Sequence, residues 1–273
     1  MNMYKKIIGV IGAPRSGVSW TGQIFDSSPD ILFRMQPFYS WAFRDKVHPR
    51  TTSEELYKFF DELYLSQDDY ILQSERRAKG IYPVFEKKGE VLETMVYKES
   101  MFHYLVPFLL EKVEELLIVA VIRNPIDALT SFYNAPREFP EGIDIQKEWY
   151  FAPNRNKFYP EQYWGYFKWK EFINMLYCIK QKYPDRVYIQ NYEELNKNPE
   201  EATREMFSFC GLSFDRQTEK FLYDCKQKYV DDPYSVFRKE GIRLENKKRL
   251  PQNIVDAIKS DLETFEYAKY FGY

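Results

Sequence analysis

The stretch IGAPRSGVSW, which follows the first apolar run of the chain, combines residue types that bind phosphate groups. Gly12 and Gly17 have the spacing of the G-x-x-x-x-G-K-[ST] nucleotide-binding loop, and Ser19 stands at its Ser/Thr position. Val18 replaces the lysine of that motif, and a positive charge lies instead inside the loop, at Arg15. The loop therefore predicts an anion site that differs from that of nucleotide hydrolases.

A strand–loop–helix unit of this kind binds anions because unpaired backbone N–H groups and the positive helix end point at the ligand. In nucleotide hydrolases the lysine reaches the β- and γ-phosphates, and the Ser/Thr holds Mg²⁺. Its loss argues against hydrolysis of ATP or GTP, whereas Arg15 still supplies charge to the loop. The alternative at this point is a turn rich in Gly and Pro that binds no ligand.

A second candidate lies in VIRNPIDALTSFYNA, where Arg123 ends an apolar run and Ser131 falls two turns into the next predicted helix. A guanidinium and a hydroxyl on neighbouring elements could bind one anion through charge-assisted and neutral hydrogen bonds. The alternatives are an ion pair of Arg123 with Asp127 and a bond from Ser131 to its own helix backbone.

A third candidate is a basic segment near the C-terminus. It is either a solvated face, as most charge runs are, or a clamp for a second phosphate. Its cations are Arg238, Lys239, Arg243, Lys247, Lys248 and Arg249.

The elements that must position these residues alternate between strand and helix patterns. Strand-like apolar runs cover residues 5–12, 31–36, 94–99, 116–123 and 186–192. This alternation predicts an α/β fold with a P-loop-type central parallel β-sheet flanked by helices on both faces. Ligands of such sheets bind beyond the carboxyl ends of the strands. The residues expected at this cleft follow Gly12, Gln36, Lys98, Arg123 and Tyr192.

Composition excludes several classes of protein. The 273 residues carry a net charge of −2, which is unlike that of a nucleic-acid binder. The cysteines form no C-x-x-C pair and there are only two histidines, so we expect no zinc site and a reducing, cytoplasmic location. The first apolar run predicts a buried strand and not a signal peptide, and no run is long enough for a transmembrane segment. We expect a single domain over residues 1–273; no pattern predicts an oligomeric state.

Three of these segments, PRSGVSW, IRNPIDALTSFY and FRKEG, together resemble the sulfotransferases that use 3′-phosphoadenosine 5′-phosphosulfate (PAPS). That family shows a P-[KR]-[ST]-G-[TS]-[TS]-[WL] loop on its first strand. It also shows an R-[ND]-P-x-D-x-x-x-S stretch, whose Arg and Ser hold the 3′-phosphate; Arg123 and Ser131 have the same spacing of eight. The segment 192–215 is similar to a further common family segment, and the resemblance runs from residue 7 to about residue 250.

The resemblance implies roles around the donor. Arg15 corresponds to the basic residue that binds the 5′-phosphosulfate and stabilises charge on the leaving oxygen. Trp20 corresponds to an aromatic residue that stacks on adenine, with Tyr192 nearby. The backbone groups implied for the 5′-phosphate belong to Ser16, Gly17, Val18 and Ser19.

Arg238 and Lys239 correspond to the clamp of the 3′-phosphate. Family members often read R-K-G there, whereas this chain has an extra residue, Glu240, before Gly241. The register of this clamp therefore departs from the family pattern.

The catalytic base also departs from the family pattern. Cytosolic members use a His two residues after a strand-end lysine, but here Ser100 follows Lys98 at that spacing. Carbohydrate and tyrosylprotein members often use a Glu after the second strand, where this chain has Gln36. The remaining candidates are Glu99, Glu75, His48 and His103. Glu99 is our predicted base, with Lys98 placed against the transferring sulfonate.

These observations predict a PAPS-dependent sulfotransferase that acts on an acceptor hydroxyl. The segment SSPDILFRMQPF is similar to carbohydrate members, so a saccharide or glycolipid acceptor is expected. No metal is expected, because a sulfonate carries less charge than a γ-phosphate and the family generally needs none. A kinase-like enzyme with a degenerate loop and a non-catalytic nucleotide-binding protein remain as alternatives.

Overall fold

A computed structural model describes residues 4–89, 91–237 and 248–273 of the chain. Its centre is a five-stranded parallel sheet with the strand order β2-β3-β1-β4-β5. The strands are β1 Lys6–Gly12, β2 Ile31–Met35, β3 Thr94–Glu99, β4 Leu116–Ile122 and β5 Val187–Asn191. All five predicted strands are present, and their ends differ from the prediction by one residue at most.

Both faces of this sheet are buried, because its strands are apolar at successive positions and successive side chains point to opposite faces. Ile7 and Ile118 belong to one core, whereas Ile8 and Val119 belong to the other. The predicted α/β fold with helices on both faces of a P-loop-type sheet is therefore confirmed.

Helices fill the connections between the strands. Those that carry the site are α1 Val18–Ser27, α3 Asp69–Leu72, α4 Ser74–Ala78, α6 Pro125–Tyr133, α9 Gly165–Lys182 and α10 Tyr192–Lys197. The others are α2 Ser53–Leu65, α5 Val106–Lys112, α7 Ile145–Glu148, α8 Pro153–Asn156, α11 Pro199–Phe209, α12 Arg216–Gln227, α13 Gln252–Leu262 and α14 Glu266–Tyr270. Helices α1, α11 and α12 pack on one face of the sheet, and α2, α5, α6 and α9 on the other. In the described part of the chain, no helix combines the length and apolarity needed to cross a membrane.

The helix after β4 has a well-defined N-terminus. Asn124 is the N-cap of α6 and its side chain accepts a hydrogen bond from the N–H of Ile126, while Pro125 occupies the first helical position. This cap ends β4 abruptly. The side chain of Arg123 therefore leaves the sheet at its carboxyl edge, next to the loop after β1.

Candidate active site

The loop after β1 is a tight turn closed by its own backbone. Both the N–H and the hydroxyl of Ser16 donate to the carbonyl of Ala13, at 3.1 and 2.6 Å. A Cβ on Gly12 would lie 2.6 Å from the Ser16 hydroxyl and 2.9 Å from the carbonyl of Val121. Only glycine fits there, and the turn brings the N-terminus of α1, with Val18 and Ser19 in its first turn, to the sheet edge.

Gly17 closes the loop against an aromatic wall. Its φ of 90° lies in the left-handed region, and a Cβ there would be 2.3 Å from the ring of Tyr192. Tyr192 follows β5 and packs edge-on against Trp20 of α1, with 6.2 Å between ring centroids. The structure thus brings the two predicted adenine-side residues together, beside the glycine of the loop.

Arg123 crosses beneath the loop to this wall. Its guanidinium donates to the carbonyl of Arg15 at 2.9 Å and lies 4.4 Å from the centroid of the Tyr192 ring. Its Nε is buried and has no hydrogen-bond partner among the described residues. A permanently charged group with a buried, unused N–H is suited to bind an anion.

Ser131 joins the same cluster from α6. Its hydroxyl accepts a hydrogen bond from Nε of Arg15 at 3.0 Å. The alternatives considered from the sequence were an ion pair of Arg123 with Asp127 and a bond from Ser131 to its own helix backbone. In the described part of the chain, Arg123 instead bonds to the Arg15 carbonyl and Ser131 to the Arg15 side chain. Arg15, Arg123 and Ser131 therefore converge at one point. Arg238 and Lys239 lie outside the described residues.

A second cluster lies where β2 and β3 end. The ammonium of Lys98 donates to the hydroxyl of Ser100 at 2.7 Å, and the amide of Gln36 donates to the same hydroxyl at 3.1 Å. The hydroxyl of Tyr70, from α3, donates to the side-chain oxygen of Gln36 at 3.2 Å. Gln36 and Ser100, which replace the usual family bases, thus hold the lysine in place.

Glu99 is the last residue of β3 and is completely enclosed. Its Oε1 accepts hydrogen bonds from the N–H groups of Ser100 and Met101, at 3.0 and 3.3 Å, and from the Gln36 amide at 3.4 Å. Its Oε2 is buried without a partner in the part of the chain that is described. Burial raises the pKa of this carboxyl above the ordinary range of glutamate, against the opposing charge of Lys98.

Lys98 has the complementary shift, because burial lowers the pKa of its ammonium. Loss of water therefore drives the acid and the amine towards their neutral forms, and their mutual attraction only partly compensates. An anion placed beside Lys98 would raise the pKa of the amine and restore its charge. The cluster thus responds electrostatically to a negatively charged ligand.

The other candidate bases have different surroundings from those of Glu99. His103 is buried between the rings of Tyr163 and Phe172, each 4.5 Å away, and burial lowers its pKa to about 3. His48 is exposed in a turn, where its Nδ1 accepts from the N–H of Arg50. Glu75 is an exposed partner of Lys79.

Sequence reasoning missed Tyr70, in the short helix α3, and Tyr234, in a turn, which both line the site. The ring of Tyr234 lies 5.5 Å from the guanidinium of Arg15, and Tyr70 supports Gln36. Neither belongs to a motif or a periodic pattern. No signal in a single sequence distinguishes them from the other tyrosines of this chain.

Taken together, the two clusters can bind an anion at a positive loop and move a proton at a buried acid–amine pair. Within residues 4–89, 91–237 and 248–273, no group of three or more His, Cys, Asp or Glu side chains is arranged to hold a metal ion.

Comparison with solved structures finds sulfotransferases of the same fold. The enzyme from Alicyclobacillus acidocaldarius is 14% identical with a TM-score of 0.55, and the match covers 96% of this chain and 92% of that one. Mouse sulfotransferase SULT7A1, solved in complex with PAP, is 13% identical with a TM-score of 0.53, covering 95% and 83%. A retinol dehydratase in complex with androsterone and the inactive cofactor PAP is 12% identical with a TM-score of 0.52, covering 97% and 82%.

No curated protein sequence matches the chain significantly. The family model described as the sulfotransferase domain, however, matches residues 5–268. That match decides between the alternatives left open by the sequence in favour of sulfonate transfer. The chain belongs to the sulfotransferase family and is a sulfotransferase.

Proposed function

We propose that the chain acts as one domain, with PAPS as donor and the hydroxyl of a saccharide or glycolipid as acceptor. The observation that carries this proposal is the convergence of Arg15, Arg123 and Ser131 around a buried guanidinium N–H with no partner among the described residues. A donor with phosphate at both its 5′ and 3′ positions supplies the anions that such a cluster needs. The PAP bound in mouse SULT7A1 supports the same donor.

The residues present fit such a donor. The backbone N–H groups of residues 16–19 and the N-terminus of α1 would hold its 5′-phosphate. Arg123 and Ser131 would hold its 3′-phosphate, assisted by Arg238 and Lys239. Trp20 and Tyr192, already in contact, would form the wall for its adenine.

When bound, PAPS supplies a sulfonate on a phosphate leaving group. Arg15 would stabilise the charge that develops on the leaving oxygen, because it lies inside the loop that holds the phosphate. The Lys98 ammonium, fixed by Ser100, would bind the sulfonate oxygens. The charge of the donor is thereby met by protein cations, and we propose that no metal takes part.

Glu99 would take the proton of the acceptor hydroxyl. A base works best when its pKa lies near the working pH, and burial moves the pKa of Glu99 in that direction. Its partnerless Oε2 is the atom that would accept the proton. Gln36 and the backbone of Ser100 and Met101 hold the other oxygen and so orient the carboxylate.

We also propose a cytoplasmic location. All three cysteines lie in described ranges and none forms a disulfide, as expected in a reducing compartment.

Sulfonate transfer from labelled PAPS to a panel of saccharides, glycolipids and phenols, in the presence of EDTA, tests the proposal. Wild-type protein should label at least one hydroxyl acceptor. Arg123→Ala should weaken donor binding about 10- to 100-fold, because a charge-assisted contact is lost. Arg204→Gln, a surface arginine on α11 stacked on Phe214, is the matched control and should be unchanged. Donor binding that is indifferent to Arg123→Ala would contradict the proposal.

A further inference from the structure

A small cavity of about 50 Å³ opens beside the two clusters of the active site. Segments far apart in sequence line it: α4 with the residues that follow it, the turn after α6, and the stretch before residue 238. Its polar lining consists of Glu75, Arg76, Lys79, Arg137, Asp232 and Tyr234. The volume suits a group of a few heavy atoms, such as a carboxylate or a sulfate, rather than a whole sugar ring.

The lining of the cavity has three cations against two carboxylates, Glu75 and Asp232. Lys79 pairs with Glu75, and the carboxylate of Asp232 accepts the backbone N–H of Tyr234 at 2.7 Å. In the described ranges, Arg76 and Arg137 have no carboxylate within ion-pair distance. The cavity therefore has an excess of positive charge, and its two guanidinium groups form no direct ion pair in the described ranges.

Both guanidinium groups are held in place by tyrosine rings. Arg76 lies 5.2 Å from the centroid of Tyr82 and donates to its hydroxyl at 2.8 Å. Arg137 lies 4.6 Å from the centroid of Tyr234. These contacts restrict both arginine side chains before a ligand binds, so less side-chain entropy is lost on binding.

Arg77, the residue after Arg76, anchors this part of α4 to the rest of the fold. Arg77 donates to the carboxylate of Asp26 in α1 at 2.6 Å and to the carbonyl of Leu72 at 3.0 Å. The position of Arg76 is thereby fixed relative to the helix that begins at the donor loop.

The cavity borders the reacting groups. The Tyr234 ring that carries Arg137 on one side also contacts Arg15, whose guanidinium is 5.5 Å from its centroid. Burial is the main cause of the lowered pKa of Lys98, and the charge of Arg76 adds to it, so Arg76 lies within electrostatic range of the lysine. An anion in the cavity would be close to the transferring sulfonate without occupying the donor site.

We propose that this cavity binds a carboxylate or sulfate group of the acceptor, so that the substrate is an anionic alcohol or an acidic saccharide. The inference rests on the proposed function, because it assigns the cavity to the acceptor of that reaction. Arg76 and Arg137 bind the anionic group through their N–H edges, and this contact orients the acceptor hydroxyl towards Lys98 and Glu99.

The test compares acids with their neutral amides on the complex with adenosine 3′,5′-bisphosphate. The pairs are glucuronate with glucuronamide and 4-hydroxyphenylacetate with 4-hydroxyphenylacetamide, and the dissociation constants are measured by calorimetry. In at least one pair the wild type should bind the acid about 10- to 100-fold more tightly than the amide. The double variant R76Q/R137Q should bring that ratio close to one, and Arg204→Gln should leave it at the wild-type value.

The inference is overturned if neither pair discriminates in the wild type, or if the discrimination survives in R76Q/R137Q. Binding of the bisphosphate by R76Q/R137Q with unchanged affinity shows that the variant is folded and that its donor site is intact. Failure of the wild type to bind the bisphosphate at all would instead contradict the proposed function.

Discussion

The carboxyl edge of the sheet has two parts, and they differ in which groups form the candidate site. At the ends of β1, β4 and β5 the site consists largely of backbone: a closed turn, two glycines and a helix N-terminus, with Arg123 beneath them. At the ends of β2 and β3 it consists of side chains, where Gln36 and Lys98 both donate to the hydroxyl of Ser100. We propose that the first half binds phosphate and that the second transfers the proton.

This difference explains why the loop after β1 shows a recognisable sequence motif, whereas the cluster at the ends of β2 and β3 does not. A phosphate cradle needs glycines at fixed spacing, since a Cβ on Gly17 would strike Tyr192. A buried acid–amine pair needs only enclosure, which distant segments can supply in many ways. The four predictions below perturb the two halves separately.

The largest effect is expected at Glu99. Glu99→Gln should lower kcat by about 100- to 10,000-fold, as loss of a general base does, while affinity for adenosine 3′,5′-bisphosphate stays the same. Because burial raises the pKa of Glu99, wild-type activity should fall as pH decreases, starting well above the ordinary glutamate pKa of about 4.3. A pH–rate profile of kcat checks this, and an acid limb that persists in the variant would assign the base elsewhere.

Arg15 comes next. Arg15→Ala should reduce kcat by about 100- to 1,000-fold, because charge on the leaving oxygen loses its stabilising partner. Arg15→Lys keeps a charge but loses the N–H that bonds to Ser131, so partial activity is expected. Single-turnover rates on a shared acceptor measure both variants. Equal activity of Arg15→Ala and wild type would remove this residue from the mechanism.

The buried carboxylate of Asp26 anchors Arg77 of α4 and the nearby Lys87. Asp26→Asn leaves Arg77 and Lys87 without their carboxylate, at 2.6 and 3.0 Å in the wild type, and should cost about 3 kcal/mol of unfolding free energy. Asp30→Asn removes an exposed pair with Lys88 and should cost less than about 1 kcal/mol. Urea denaturation of both variants measures the difference in unfolding free energy. Equal losses of unfolding free energy would show that Asp26 contributes no more than an exposed ion pair.

The smallest effect is expected at Gly17, where the cost of backbone strain can be separated from the cost of a steric clash. Gly17→Ala and Gly142→Ala both place alanine at a positive φ, of 90° and 88°, but nothing lies within 4 Å of the added Cβ at Gly142. Strain alone should cost about 1 kcal/mol in either variant, and the collision with Tyr192 should add about 1 kcal/mol in the first. The denaturation midpoints of the two variants measure this difference. Affinity for the bisphosphate should be weakened by Gly17→Ala and unchanged by Gly142→Ala.

The same two parts of the sheet edge also differ in how much of their structure could be predicted from the sequence. The five strands were predictable because β-branched runs buried on both faces have few alternatives. The convergence of Arg15, Arg123 and Ser131 was predictable because ligand-binding residues gather beyond the carboxyl ends of parallel strands. Their roles towards the donor stay predictions. Glu99 was predictable only as a candidate, since its enclosure depends on Gln36 and on the fold of residues 100–101. Arg76, Arg137 and Tyr234 were not predictable, because their proximity results from packing between a short helix and two turns with no periodic signal.

The central claim is that the loop binds PAPS and not a metal-bound nucleoside triphosphate. The most direct measurement is calorimetric titration of the wild type with adenosine 3′,5′-bisphosphate in EDTA, and separately with ATP and Mg²⁺. Our account predicts binding of the bisphosphate without metal and, at 100 times its dissociation constant, about 2.7 kcal/mol of added stability. Binding of ATP with Mg²⁺ and none of the bisphosphate would contradict it.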